Sequence, residues 1–164
     1  KSKANKDLAT FDLSLLRWNK VIICTDADVD GFQIRTLILT MLYRLTPTLI
    51  EEGLVFIAET PLYEINTKTD TYFAYNEQEK ADILKTIGEA KYTIQRSKGL
   101  GENDPDMMSM TTMNPATRRL VKVEPADAAA TEIMFDVLLG DNLSGRKDFI
   151  SEKGGQYLEL VDVS

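Results

Sequence analysis

The sequence predicts an α/β fold: a Rossmann-like sheet flanked by helices, followed by a small, mostly helical C-terminal tail region. Three observations carry that expectation. The β-branched run Val21–Thr25 reads as a buried strand. Downstream, Ile34, Leu37, Ile38, Met41, Leu42, Leu45 and Leu49 recur at three- and four-residue spacing, the period of one apolar helix face. Leu54-Val55-Phe56-Ile57-Ala58 then reads as a second strand, and strand-helix-strand with a right-handed crossover is the unit of a parallel sheet.

The remaining elements follow in order. Pro47 should end or kink the helix near Thr46, because it lacks an amide donor and its ring collides with the preceding turn, and Gly53 is a C-terminal stop. Leu62–Asn66 and Thr71–Tyr75 read as a hairpin around Lys68-Thr69-Asp70. Asn76–Gly88 is expected as a helix and Tyr92–Arg96 as a strand. After the Gly-rich segment Lys98–Glu102 come a short helix around Asp106–Met110, a strand at Leu120–Val123, and a helix at Ala126–Leu139 ending at Gly140. The expected division is a lead-in at 1–20, the sheet domain at 21–123 and the tail at 124–164. The polar start, which has no methionine, reads as part of a longer chain.

Composition narrows the chemistry. The 164 residues, 43% apolar and 27% charged, fit one globular domain or a domain with a small appendage. Without histidine, the chain cannot build a Ser-His-Asp or Cys-His nucleophile or a histidine-ligated zinc site by itself. A single cysteine excludes internal disulfides and thiolate clusters. Cys24 is expected in the core, and a reducing, cytoplasmic compartment is the default. The apolar stretch Leu37–Leu42, flanked by Arg35 and Arg44, is too short to span a bilayer, and no secretory signal opens the sequence. A net charge of −7 at first disfavours grip on nucleic acid. The charge is segregated, however: Lys85–Lys122 carries +3, leaving −10 for the rest.

The main chemical signal is Asp26-Ala27-Asp28-Val29-Asp30-Gly31, directly after the first strand. In an extended segment Asp26, Asp28 and Asp30 would point to one side, and their mutual repulsion would be relieved by a hard divalent cation such as Mg²⁺ or Ca²⁺. A solvated acidic turn is the plainer alternative. An EF-hand loop is rejected, because position twelve is Leu37, not glutamate, and the preceding segment reads as a strand. A phosphatase of the haloacid-dehalogenase type, with Asp26 as nucleophile and Asp28 as acid, stays open, although no later acidic pair follows a strand. So do metal-assisted chemistry on phosphodiesters and a non-catalytic module that docks onto a partner protein. Lys98-Gly99-Leu100-Gly101 could bring backbone amides to a phosphate or form a simple tight turn.

Five motifs in register resemble one family. Thr25–Gly31, Ile34-Arg35-Thr36-Leu37, Glu59-Thr60-Pro61-Leu62-Tyr63, Lys98–Glu102, and Thr111-Thr112-Met113-Asn114-Pro115 with Arg118-Arg119-Leu120 are similar to the C-terminal half of the gyrase B-type subunits of type IIA topoisomerases. The resemblance implies a TOPRIM fold that binds Mg²⁺, with Mn²⁺ or Ca²⁺ able to substitute for binding. Asp26 and Asp28 would be ligands, and Asp30 would support or share the site. Lys98, Gly99, Leu100 and Gly101 would lie near DNA. It also implies a cytoplasmic A2B2 DNA gyrase holoenzyme, formed with the gyrase A protein on double-stranded DNA, performing ATP-dependent double-strand breakage, passage and religation with negative supercoiling. The strand-cleaving tyrosine would belong to the gyrase A protein, so no catalytic residue is expected in this chain and the chain alone is expected to be inactive. The sequence departs from the family in three places: no glutamate precedes Glu51 to complete the metal site, Gln33 replaces a usual histidine, and Ser109 replaces a common tryptophan.

Overall fold

The computed structural model describes residues 6–97, 99–125 and 128–160. Strand β1 (Val21–Ile23) leads through helix α1 (Val29–Leu45) and the short α2 (Pro47–Glu51) into β2 (Val55–Ala58). β1 and β2 pair in parallel, with Val21 opposite Val55 and Ile23 opposite Ile57, as the strand-helix-strand reading requires. The helix break falls where Pro47 predicts it. Thr46 caps the end of α1 and Pro47 opens α2, at a position where its missing N–H has no helical partner to lose. Gly53 ends α2 with φ +66°, a conformation that side-chain-bearing residues adopt at a cost, and the Lys122 side chain occupies the space a Cβ would need.

The core of this half is built from Ile23, Leu49, Ile50 and Val55. Phe11, Leu13, Leu16, Ile38, Leu39, Leu42 and Tyr43 pack around it. Each such buried aliphatic side chain stabilises the fold by about 1.5–3 kcal/mol. The lead-in is tied down by Leu8 N–H donating to the Leu45 carbonyl at 2.8 Å, and by the Thr48 amide and hydroxyl donating to the Asp7 carboxylate. The apolar stripe of α1 is wider than the surface it covers. Ile38, Leu39 and Leu42 face the core, whereas Ile34, Leu37, Met41 and Leu45 are about half exposed. Spacing at three and four residues therefore marked two adjoining faces, only one of which meets the sheet.

The expected hairpin forms, with β3 (Tyr63–Asn66) and β4 (Thr71–Ala74) paired so that Tyr63 lies opposite Ala74. α3 (Glu77–Ile87) follows, capped by the Asn76 side chain on Glu79 N–H at 2.8 Å, and then β5 (Thr93–Arg96) pairs antiparallel with β3. These three strands make a second sheet, ordered β4-β3-β5, and do not extend the first. Pro61, fully buried between β2 and β3, has no N–H to continue a ladder, so the chain leaves the first sheet there. After α4 (Pro105–Met108) and a π turn at Ser109–Met113, β6 (Leu120–Lys122) returns to pair antiparallel with β2, giving the order β1-β2-β6. The fold is thus mixed α/β with helices flanking two small sheets.

The tail carries α5 (Ala128–Leu139), as expected, and α6 (Leu143–Lys153). Tyr43 of α1 stacks on Phe135 of α5 with ring centroids 4.6 Å apart. Arg146 closes the turn between the tail helices by donating to the Val137 and Gly140 carbonyls at 3.1 and 2.6 Å. No helix among the described residues is long and apolar enough to cross a membrane.

Candidate functional site

β1 and β2 are parallel, so the loops at their carboxyl ends open on one side of the sheet. That is where ligands bind in open α/β sheets. The loop after β1 holds Asp26, Asp28 and Asp30, but not as an extended segment. Asp28 is the N-cap of α1, its Oδ1 accepting the Gly31 N–H at 2.7 Å, and helical geometry begins at Val29. Asp30 therefore stands exposed on the first helical turn, where its charge suits the helix dipole. The period-two expectation that all three carboxylates share a side is corrected by this early helix start, which follows from aspartate's strength as a cap.

Asp26 has a different role. Its Oδ1 accepts the backbone N–H of Leu100 at 2.8 Å, across 74 positions of sequence, and a Cβ on Gly99 would lie 3.2 Å from its Oδ2. The acidic loop and the Gly-rich segment, two separate signals in the sequence, are thereby one site. Gly31 is also explained: a Cβ there would lie 2.1 Å from the Asp26 carbonyl oxygen, so the helix can start this close to the strand only without a side chain. Leu100–Glu102 forms a short 3₁₀ turn, and Gly101 faces open space. Lys98 lies outside the described residues.

Around this loop sit charges whose roles sequence reasoning did not assign. Cys24, half-buried, has its thiol pushed up first by burial and then by the Asp26 carboxylate, with Arg35 opposing. Arg35, on α1, is pulled below the ordinary guanidinium value by burial, opposed by Cys24 and Glu59. Glu59 follows β2, so it stands at the carboxyl end of the parallel pair as Asp26 does. The available signal was an arginine amid the apolar positions Ile34, Ile38 and Leu42 of one helix, since buried charges are rare without a purpose. Further along, Arg119 joins the two sheets. It pairs with Glu79 at 2.8 Å and lies 3.8 Å over the Tyr75 ring, lowering the Glu79 carboxyl chiefly by that hydrogen bond. Burial raises the Tyr75 hydroxyl against the pull of Arg119.

The loop offers hard oxygen donors of the kind that suit Mg²⁺. Asp26 and Asp28 each commit Oδ1 to a backbone N–H, and the Oδ2 atoms accept no hydrogen bond among the described residues. Donor chemistry fits a divalent cation, but donor number falls short. No three acidic, cysteine or histidine side chains converge to hold one among the described residues. The basic stretch is also less open than its charge count implies. Lys85, Arg119 and Lys122 are paired with Asp82, Glu79 and Glu124, whereas Lys91, Arg96 and Arg118 form no ion pair among the described residues.

Residues 1–60 match the Toprim domain family, and residues 89–151 match the family described as DNA gyrase B subunit, carboxyl terminus. The DNA gyrase B subunit of Clostridium acetobutylicum is 47% identical over 152 residues, covering 92% of this chain and 24% of that protein. Those of Thermotoga maritima, 43% identical over 150 residues (92% of this chain, 24% of that protein), and Metamycoplasma hominis, 40% over 173 residues (98% and 26%), are also similar. The chain spans about a quarter of the length of these relatives. Toprim and gyrase B carboxyl-terminal sequence thus lie in one chain in that order, and the chain is similar to a DNA gyrase B subunit over 92% of its length.

Proposed function

We propose that the chain is the Mg²⁺-binding TOPRIM and tail portion of a gyrase B protein, with 21–123 as the TOPRIM domain, 1–20 its lead-in and 124–164 the tail. With the gyrase A protein and double-stranded DNA, in a cytoplasmic A2B2 holoenzyme, it contributes to ATP-dependent strand breakage, passage and religation. The observation that supports this most is the Asp26–Leu100 hydrogen bond, which joins an acidic cation-type loop to a glycine-rich phosphate-type loop at the carboxyl end of two parallel strands.

In this reading Asp26 and Asp28 are the metal ligands and Asp30 adds charge at the entrance. The chemistry Mg²⁺ supplies when bound is stabilisation of charge on the phosphodiester oxygens. The residues of the chain orient. Leu100 N–H holds the Asp26 carboxylate in place, Gly31 N–H holds that of Asp28, Gly99, Leu100 and Gly101 form the edge that meets DNA, and Lys98, outside the described residues, is the fourth DNA-binding residue of this reading. The attacking tyrosine is expected on the gyrase A protein, so this portion alone binds cation weakly and does not cleave.

Titration with Mn²⁺ tests the assignment. Asp26→Asn and Asp28→Asn should each weaken binding severalfold. Asn is as good a cap as Asp, so the second variant removes charge without releasing α1. Equal binding by both variants and the parent chain would overturn the metal reading.

A further inference from the structure

Among the described residues, two buried side-chain polar atoms have no hydrogen-bond partner: Arg35 Nε and Thr25 Oγ1. Thr25 directly precedes Asp26, and Arg35 is within electrostatic reach of Cys24 and Glu59, so both belong to the carboxyl end of the parallel strands. A buried donor without an acceptor is costly, and native structures keep few of them. Arg35 also forms no ion pair among the described residues, despite the neighbouring Glu59. Its guanidinium lies 5.0 Å over the Phe32 ring, one turn earlier on α1. Stacking of this kind fixes the plane of the group while leaving its edge free, and a planar five-donor fork matches the oxygens of a phosphate.

We propose that Arg35 is a phosphate-binding residue, its Phe32-backed guanidinium gripping the non-bridging oxygens of a DNA phosphodiester beside Asp26. The proposal rests on the reading that this end of the sheet meets DNA, and adds to the Gly-rich edge a second, charged contact on the opposite element. Repulsion of a phosphate by the Asp26 and Glu59 carboxylates is the opposing effect. Against it stands a guanidinium that forms no ion pair among the described residues and whose Nε is left without a partner.

The test is the salt dependence of binding to a fluorescent duplex oligonucleotide by the full chain, in EDTA, starting at low salt. Arg35→Gln should weaken binding about tenfold and reduce the slope of log K against log salt by about 0.9, the mark of one lost phosphate contact. Arg35→Lys keeps the charge and the slope but binds a few-fold more weakly, because the fork is lost. Wild-type affinity and slope in Arg35→Gln would overturn the proposal, as would the absence of salt-dependent binding by the parent chain. Should Arg35→Gln fail to fold by circular dichroism, Arg35→Lys decides, and unchanged affinity there counts against the fork. Displacement of the duplex by inorganic phosphate at matched ionic strength would mean a free-phosphate site and also overturn it. With EDTA present no cation takes part in the duplex assay, so a failed Mn²⁺ titration and a failed Arg35 assignment are read separately.

Discussion

In the β1-β2-β6 sheet two parallel strands end together, one at the Asp26 loop and the other at Glu59, and helix α1 crosses between them with Arg35 on its second turn. In the β4-β3-β5 sheet every pairing is antiparallel, and neighbouring strands run back past each other's ends. The second sheet is no looser inside. Ile65 and Ala74 are fully buried, as is Val55 in the first. It even borders a cavity of about 340 Å³, lined by Glu64, Thr71, Phe73, Asp104, Asp106 and Met107 among others. What it supplies to the site is a single segment, since β5 runs directly into the Gly-rich stretch whose Leu100 N–H meets Asp26. Parallel strands need a long crossover, and the crossover leaves the Asp26 loop and Glu59 at one end of the sheet, whereas the β3–β4 hairpin joins only what is already near in sequence. The difference lies in where the chain is obliged to turn, not in how well the interior is filled.

That contrast can be broken at one atom. Gly31→Ala places a methyl group against the Asp26 backbone, which cannot move as a flexible side chain can, so the start of α1 should shift away from β1. We expect a loss of about 3 kcal/mol or more in denaturant unfolding, together with loss of Mn²⁺ binding. Gly101→Ala, where a methyl group meets nothing within 4 Å, should change stability little. Equal effects from the two would show that the close approach at Gly31 does not hold the site.

Ile65→Ala removes a fully buried side chain from the second sheet and should cost about 3 kcal/mol by the same measurement. Under conditions where the variant is folded, Mn²⁺ affinity should stay at the parent value, because both proposed ligand carboxylates follow β1 of the other sheet. A coupled loss of affinity would mean that the two sheets are one cooperative support. Asp28→Ala comes next. It removes the cap on Gly31 N–H and should destabilise by about 1 kcal/mol, with Asp28→Asn restoring stability but not cation binding.

The smallest effect concerns the link between the sheets. Glu79 is held below the ordinary glutamate value by its hydrogen bond to Arg119. A carboxylate lowered on folding contributes stability that is fully present above its unfolded value and is lost as pH falls through the lower folded value. The pair is partly exposed, so the contribution should be about 0.5 kcal/mol. Glu79→Gln should flatten the acid limb of the stability profile by about that amount, and an unchanged limb would remove Glu79 from the account.

Much of this was legible in the residues. The parallel unit, the hairpin, the helix break at Pro47 and the stop at Gly53 each follow from local chemistry: β-branching, turn residues, a missing donor, a missing Cβ. The division into two sheets was not, since it depends on Pro61 being buried at the point where the chain leaves the first ladder. The aspartate triplet was seen, but its geometry was misread, because capping of a helix and extension of a loop make the same sequence.

By itself the sequence determined which elements form and which motifs resemble those of gyrase B proteins, because spacing, caps and breakers act over a few residues. Only the tertiary structure decided that Asp26 meets Leu100 and that Arg35 Nε is buried without a partner among the described residues. Those outcomes depend on contacts between segments far apart in the chain, set by how α1 crosses the parallel strands, and no local pattern encodes that.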